Sequence, residues 1–305
     1  MPATGYPDRQ ASQTPAGESD PSSQTQEIVG TRMLEAEAFA RPRQAEVERP
    51  RTHIDITQLQ QKGVVPLNDS REIAESEYRR IKRPLLANVT GRGAVKVDRG
   101  EAIMVTSAQQ GEGKTFTSFN LAYSFAQERD WEIILIDGDN TRRTLTRSLG
   151  LDVNMGLMDV LSGACDNVDD VIVTTDIERL SFIPAGQRNA QASEFLSSKR
   201  MEAVIGQLLS VKHRIVLFDA PPLLGTSDAL VLSESVGQII VVVKAGSTQR
   251  DAVAAAIQPL DKNKAINLLL NQVVRAHGDS YGGYHYGYGY GDGAPRDGGR
   301  ASTRS

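Results

Sequence analysis

The rhythm of hydrophobic positions changes three times along the chain. Residues 1–50 carry few large apolar side chains at no regular spacing and are rich in Pro, Ser, Gln and Glu. Such a stretch cannot bury enough surface to offset the entropy of ordering it. This predicts a disordered N-terminal segment holding at most a short helix around residues 31–39. Residues 52–69 read as an extended arm with a turn at Gly63 and Pro66. Residues 70–89 read as a helix, with Ile73, Tyr78, Ile81 and Leu85 forming a partial apolar face. Ser70 is its expected N-cap, and Pro84 is expected to kink or interrupt it.

From residue 102 onward, short β-rich runs alternate with helical stretches. The runs are 102–106, 132–136, 180–184, 214–218, 238–243 and 265–271, and the helical stretches lie near 115–127, 156–161, 199–211 and 249–260. Several runs are apolar at every position, the mark of strands covered on both faces. The pattern predicts an α/β fold with a mostly parallel sheet and helices on both sides. Four regions follow: a disordered segment 1–50, an arm and helix 51–94, a core 95–276, and a flexible Gly-rich tail 277–305.

Composition narrows the function classes. Hydrophobic residues are 39% of the 305, and the two polar ends account for that dilution. Net charge is −4, so no basic face is implied and nucleic acid is not an expected partner. Cys165 is the single cysteine, which excludes an internal disulfide and a cysteine-rich metal site. No apolar run approaches the ~18–20 residues of a membrane span, and the N-terminus has no apolar signal region. A soluble, cytoplasmic protein is expected, at a membrane only through a partner. Of eight tyrosines, five crowd together as Tyr281, Tyr284, Tyr286, Tyr288 and Tyr290.

The candidate chemistry begins after the first run. There Thr106-Ser107-Ala108-Gln109-Gln110-Gly111-Glu112-Gly113-Lys114-Thr115 leads into an apolar helix through Phe116. Strand, Gly-containing loop, Gly-Lys-Thr and helix make a P-loop: loop amides and the helix N-terminus cradle phosphates. Lys114 would bridge the β- and γ-phosphates, and the Thr115 hydroxyl would ligate Mg²⁺. Ala108 stands where the usual pattern has its first Gly. Two further runs end in acids: Asp137-Gly138-Asp139 after 133–136, and Asp219-Ala220-Pro221-Pro222 after 215–218. Ligands of open α/β sheets sit at the carboxyl ends of strands. Asp219 has the form of a Walker B magnesium residue, and Asp137 with Asp139 can bind metal or accept a hydroxyl proton.

This set resembles the bacterial tyrosine kinases (BY-kinases) of capsule and exopolysaccharide loci. That family combines a P-loop, an Asp-x-Asp Walker A′ strand end, a Walker B and a Tyr-rich tail. The stretches 77–88 (EYRRIKRPLLAN), 111–117 (GEGKTFT), 181–186 (SFIPAG) and 219–224 (DAPPLL) look most like the exosortase-associated tyrosine autokinases. The resemblance implies ATP and Mg²⁺ as ligands. It places nucleotide contacts at Gln110–Phe116, Arg142 and Asn271, metal contacts at Thr115, Asp137 and Asp219, and catalysis at Lys114, Asp137, Asp139 and Asp219. In this reading Asp137 is the base. Arg142 or Arg143 takes the family's Walker A′ arginine role, Arg142 being favoured although Asn140 and Thr141 intervene. Glu77, Arg80 and Arg83 match the family's Glu-x-x-Arg-x-x-Arg oligomerisation motif, implying a ring of identical subunits. Their i, i+3 spacing puts them on roughly one helix side.

The tyrosine cluster is then an acceptor. Glycine between the tyrosines keeps the backbone mobile enough to enter a neighbouring subunit's site, and accumulated phosphates would repel one another. The family also implies a membrane activator of the polysaccharide chain-length-determinant type. Two rivals remain. One is a P-loop ATPase switch of the partitioning or division-site type, against which Gln109 stands in place of that branch's signature lysine. The other is a regulatory protein with a relic site, against which Lys114, Asp137 and Asp219 are all retained. Lys244, Ser247 and Thr248 lie near the same sheet edge and read as loop residues. Cys165, His53, His213 and Trp131 read as structural.

Overall fold

In the computed structural model, residues 51–93, 96–151 and 155–273 are described. Among them, strands β1 (Ala102–Ser107), β2 (Glu132–Asp137), β3 (Val173–Thr174), β4 (Leu180–Ile183), β5 (Arg214–Asp219), β6 (Gln238–Lys244) and β7 (Ala265–Asn271) form one sheet. The spatial order is β3-β4-β2-β5-β1-β6-β7, so β1 lies inside the sheet between β5 and β6. All pairings are parallel except that of β3 with β4. Six strands coincide with the six apolar runs. The two-residue β3 was not expected, being too short to show a period.

Alternation along the strands explains why those runs are continuously apolar. Ile103, Val105, Ile133 and Leu135 point into one core layer, and Met104, Ile134, Ile136 and Phe218 into the other. The first layer is closed by helices α1 (Ile56–Gln61), α2 (Asn68–Val89) and α3 (Lys114–Ala126), through Leu59, Tyr78, Leu85, Phe119 and Phe125. The short α4 (Thr144–Ser148) adds Leu145. The second layer is closed by α5 (Leu157–Ser162), α6 (Ala192–Leu196), α7 (Lys199–Leu209) and α8 (Ser227–Glu234), and α9 (Arg250–Ile257) contributes Ala256. Both faces of the interior strands are therefore dry, as parallel sheets require, while Leu268 and Leu270 of the edge strand β7 stay exposed.

Three local expectations are corrected. The arm is not wholly extended: α1 forms in it, with Asp55 accepting from Gln58 N at 3.0 Å as the N-cap. The turn at Gly63 is present with φ +67°, a left-handed conformation that suits glycine. Ser70 is not a cap; α2 starts at Asn68 behind Leu67, and Ser70 Oγ donates to the Leu67 carbonyl. Nor does Pro84 interrupt α2, which continues to Val89 because Lys82 and Leu85 on either side of it are buried against α3 and the sheet. The expected helix around 31–39 and the tail 277–305 lie outside the described residues. Among the described residues, no helix is long and apolar enough to cross a membrane.

Candidate active site

The P-loop leaves the carboxyl end of β1 and enters α3 at Lys114. Ala108 is fully buried and is not among the residues with positive φ, so its methyl group fits where a first glycine would be usual. Gly111 (φ +83°) and Gly113 (φ +95°) do need to be glycine. A Cβ on Gly113 would also lie 2.1 Å from Asn271 Nδ2. No side chain caps the N-terminus of α3. Its first amides are thus available to an anion, the arrangement that binds phosphate at a helix start.

The loop is braced from behind. Glu112 is 2% exposed; its carboxylate accepts from Gln109 N at 2.6 Å and from the Thr248 hydroxyl. Asn271 Nδ2 donates to the Glu112 carbonyl at 2.9 Å, and Gln272 Nε2 to that of Gly111 at 3.3 Å. These contacts bear on two of the expected nucleotide-binding residues. The Glu112 carboxylate is committed to the protein, leaving only its backbone for a ligand. The Asn271 amide nitrogen grips the loop, tying the end of β7 to it. Phe116 likewise turns its ring to the core, 6.4 Å from that of Tyr78, and offers only its backbone.

Three buried carboxylates face Lys114. Asp137 and Asp219 end the neighbouring strands β2 and β5 in direct register. Asp137, Asp139 and Asp219 are each at most 1% exposed. Lys114 Nζ lies 3.1 Å from Asp139 Oδ2 and 3.8 Å from Asp219 Oδ1. Thr115 Oγ1 donates to Asp219 Oδ2 at 2.8 Å, and Ser118 Oγ lies 3.0 Å from Asp219 Oδ1. Asp137 Oδ2 receives both the amide and the hydroxyl of Thr146, each at 2.8 Å, and its Oδ1 receives Asp139 N at 3.1 Å.

Charge in the cluster is unbalanced. Burial, then the Asp219 charge, pushes the Asp137 carboxyl up to about 7, against the pull of the Thr146 hydrogen bonds. Burial also raises Asp219, although Lys114, Thr115 and Ser118 favour its charged form. For Lys114, burial acts downward but Asp219 and Asp139 outweigh it, so the ammonium is held above its usual range. One ammonium among three buried carboxylates leaves room for further positive charge.

The remaining candidates fall around this cluster. Arg142 donates its amide to Asp139 Oδ1 at 2.9 Å and its guanidinium to Gln110 Oε1 at 2.5 Å, closing over the loop. Arg143 instead sits at the N-cap of α4 with φ +52°. Glu77, Arg80 and Arg83 are exposed on α2, whereas Tyr78, Lys82 and Leu85 of that helix are buried. Tyr281, Tyr284, Tyr286, Tyr288 and Tyr290 lie outside the described residues. Sequence reasoning missed Ser118, Thr146 and Gln272 and read Thr248 as mere loop. Only Ser118 had a local signal, one helical turn after Lys114.

Among the described residues, no three His, Cys, Asp or Glu side chains group to hold a metal by themselves. Magnesium does not ask for such a cage: it is usually held by one or two carboxylates together with substrate phosphates and water. A hydroxyl–carboxylate pair beside a phosphate cradle, as in Thr115 and Asp219, is a donor set of that kind.

Comparison with known proteins agrees with this geometry. Residues 100–269 match the family model described as an AAA domain. The chain is 28% identical to the tyrosine-protein kinase YwqD of Bacillus subtilis, over 73% of this chain and 92% of that protein. It is 30% identical to the tyrosine-protein kinase ptk of Acinetobacter johnsonii over 60% of this chain, but spans only 25% of that longer relative. The solved kinase domain of Escherichia coli tyrosine kinase ETK superposes with a TM-score of 0.54 at 30% identity, covering 62% of this chain and 72% of that one. With these relatives, the chain is a P-loop protein-tyrosine kinase. The chain belongs to the bacterial tyrosine kinases, the BY-kinases.

Proposed function

We propose that this kinase uses Mg·ATP to phosphorylate its own tyrosine cluster at 281–290, on a neighbouring subunit of a homo-oligomeric ring, and thereby regulates exopolysaccharide synthesis or export. The observation that carries the reading is the buried cluster of Lys114, Asp137, Asp139 and Asp219 beside a loop whose amides are open to phosphate. Placement among the exosortase-associated enzymes rests on the segments 77–88, 111–117, 181–186 and 219–224. A cytoplasmic enzyme held at the inner membrane by a chain-length-determinant type of activator is part of the same proposal.

Phosphoryl transfer asks the protein mainly for positioning and charge neutralisation. The backbone of 110–116 and Lys114 would hold the triphosphate, and Arg142, already against Gln110, would close the loop over it. Thr115 and Asp219, with Asp137 near, would hold Mg²⁺, which when bound offsets charge developing on the phosphate oxygens. Asp137 takes the proton of the tyrosine hydroxyl. The phenolic oxygen then bonds to the γ-phosphorus as the bond to the departing diphosphate breaks. Asp139 holds the Lys114 ammonium with one oxygen and the Arg142 backbone amide with the other.

A mixing experiment tests the exchange between subunits. Lys114→Met protein with an intact tail is combined with active protein truncated before His277 and with Mg·ATP. Phosphotyrosine on the Lys114→Met tail is the expected result. Its absence, with phosphotyrosine still forming in an unmixed full-length control, rules out transfer between subunits. The ATPase-switch alternative predicts phosphate release with no phosphotyrosine in any sample.

A further inference from the structure

Thr146 touches no expected ligand, yet it is completely buried and makes three hydrogen bonds around Asp137. Its amide and its hydroxyl both lie 2.8 Å from Asp137 Oδ2, and its Oγ1 accepts from Ala185 N at 3.0 Å. A backbone N–H can only donate. The Ala185 amide therefore occupies a lone pair of the hydroxyl and leaves its single proton to point at Asp137. Ala185 is itself fixed, because its carbonyl accepts from Met158 N at 3.0 Å and that of Pro184 from Leu157 N at 2.8 Å. Gly156 keeps the two segments this close, since a Cβ there would lie 2.0 Å from the Pro184 oxygen.

We propose that Thr146 is the positioning residue that divides the work of the Asp137 carboxylate, anchoring Oδ2 and leaving Oδ1 as the oxygen that receives the tyrosine proton. Oδ2 is saturated by two donors from one residue, whereas Oδ1 meets only the Asp139 amide at 3.1 Å and keeps a lone pair. The segment 181–186 thereby acquires a role: it delivers the Ala185 amide that orients the Thr146 hydroxyl. A carboxylate free to rotate about its Cβ–Cγ bond would spend part of its time with neither oxygen aligned, and small misplacements of a base cost rate steeply. The inference rests on Asp137 being the proton acceptor.

The test compares Thr146→Val, which keeps the amide, shape and β-branch but loses the hydroxyl, with Thr146→Ser, which keeps the hydroxyl, and with Asp137→Ala. Initial rates of autophosphorylation are measured against ATP concentration on full-length protein. Thr146→Val should lower kcat by about ten- to a hundred-fold, part of what a general base supplies, with KM for ATP within about two-fold. Thr146→Ser should restore most of kcat. Where thermal melting shows the valine variant to be unfolded, Thr146→Ala replaces it in the same comparison with serine. Unchanged kcat without the hydroxyl overturns the inference, as does equal loss in both variants or a loss confined to KM. Wild-type kcat in Asp137→Ala would instead overturn the underlying assignment of the base.

Discussion

Lys114 and Asp139 form a buried ion pair at 3.1 Å, with Lys114 8% and Asp139 1% exposed. The lysine that would grip the nucleotide thus also offsets the charge of three buried carboxylates. Breaking a buried pair by removing one partner costs about 3–5 kcal/mol where the other stays charged. Lys114→Met should therefore abolish kinase activity and also lower the melting temperature. The second effect depends on pH. Asp137, raised to about 7, contributes stability that is full below its unfolded value and is lost as pH rises through about 7, and Asp219 shifts in the same direction. Lys114, itself shifted upward, stays protonated throughout this range. The variant's loss of melting temperature should be larger at pH 8 than at pH 5, by differential scanning fluorimetry. A pH-independent loss would contradict the charge account.

The Thr115–Asp219 hydrogen bond of 2.8 Å marks the expected seat of the divalent cation. Ligand binding stabilises a fold by about 2.7 kcal/mol at a hundredfold excess over Kd, roughly 5–10 °C for a domain of this size. Mg·ADP should raise the melting temperature of the wild type by about that much. Thr115→Ala and Asp219→Asn should lose more than half of the magnesium-dependent part while keeping a response to nucleotide in EDTA.

Thr248 lies far along the chain from the P-loop yet donates to the buried Glu112 carboxylate. Thr248→Val removes that donor and leaves one carboxylate oxygen short of a partner, at a cost of about 1–3 kcal/mol. Because Glu112 also holds Gln109 N, the loop should loosen, and affinity for a fluorescent ATP analogue should fall several-fold. Isothermal titration or fluorescence anisotropy checks this directly.

Glu77, Arg80 and Arg83 are exposed, so replacing all three with alanine should leave the melting temperature nearly unchanged, within about 0.5 kcal/mol per site. If they pair across subunits, the triple variant should sediment as a smaller species than the wild type and autophosphorylate more slowly. An unchanged sedimentation profile would remove them from the interface.

The fold was legible where physics is local or where burial is complete. Interior parallel strands such as 133–136 and 215–218 are apolar at every position because α3 and α7 cover opposite faces of the sheet. The P-loop was legible because Gly111, Gly113, Lys114 and Thr115 are contiguous. What escaped was non-local. Thr146 meets Asp137 from nine residues away, and Thr248 meets Glu112 across 136 positions, with no periodicity to announce either. Short helices such as α1 and α6 span too few residues to show a period. Ser70 was misread as a cap because the helix begins one turn earlier, where no side chain caps it.

The proposed role of the Lys114–Asp137–Asp219 site is transfer of phosphate to the chain's own tyrosines. Its most direct test is to incubate the purified full-length protein with Mg·ATP and map phosphotyrosine by mass spectrometry, beside Lys114→Met and a chain truncated before His277. Phosphate on tyrosines between 281 and 290 is expected in the wild type, and none in the Lys114→Met protein alone. Phosphate release from ATP without phosphotyrosine, or equal labelling of the Lys114→Met protein, would contradict it.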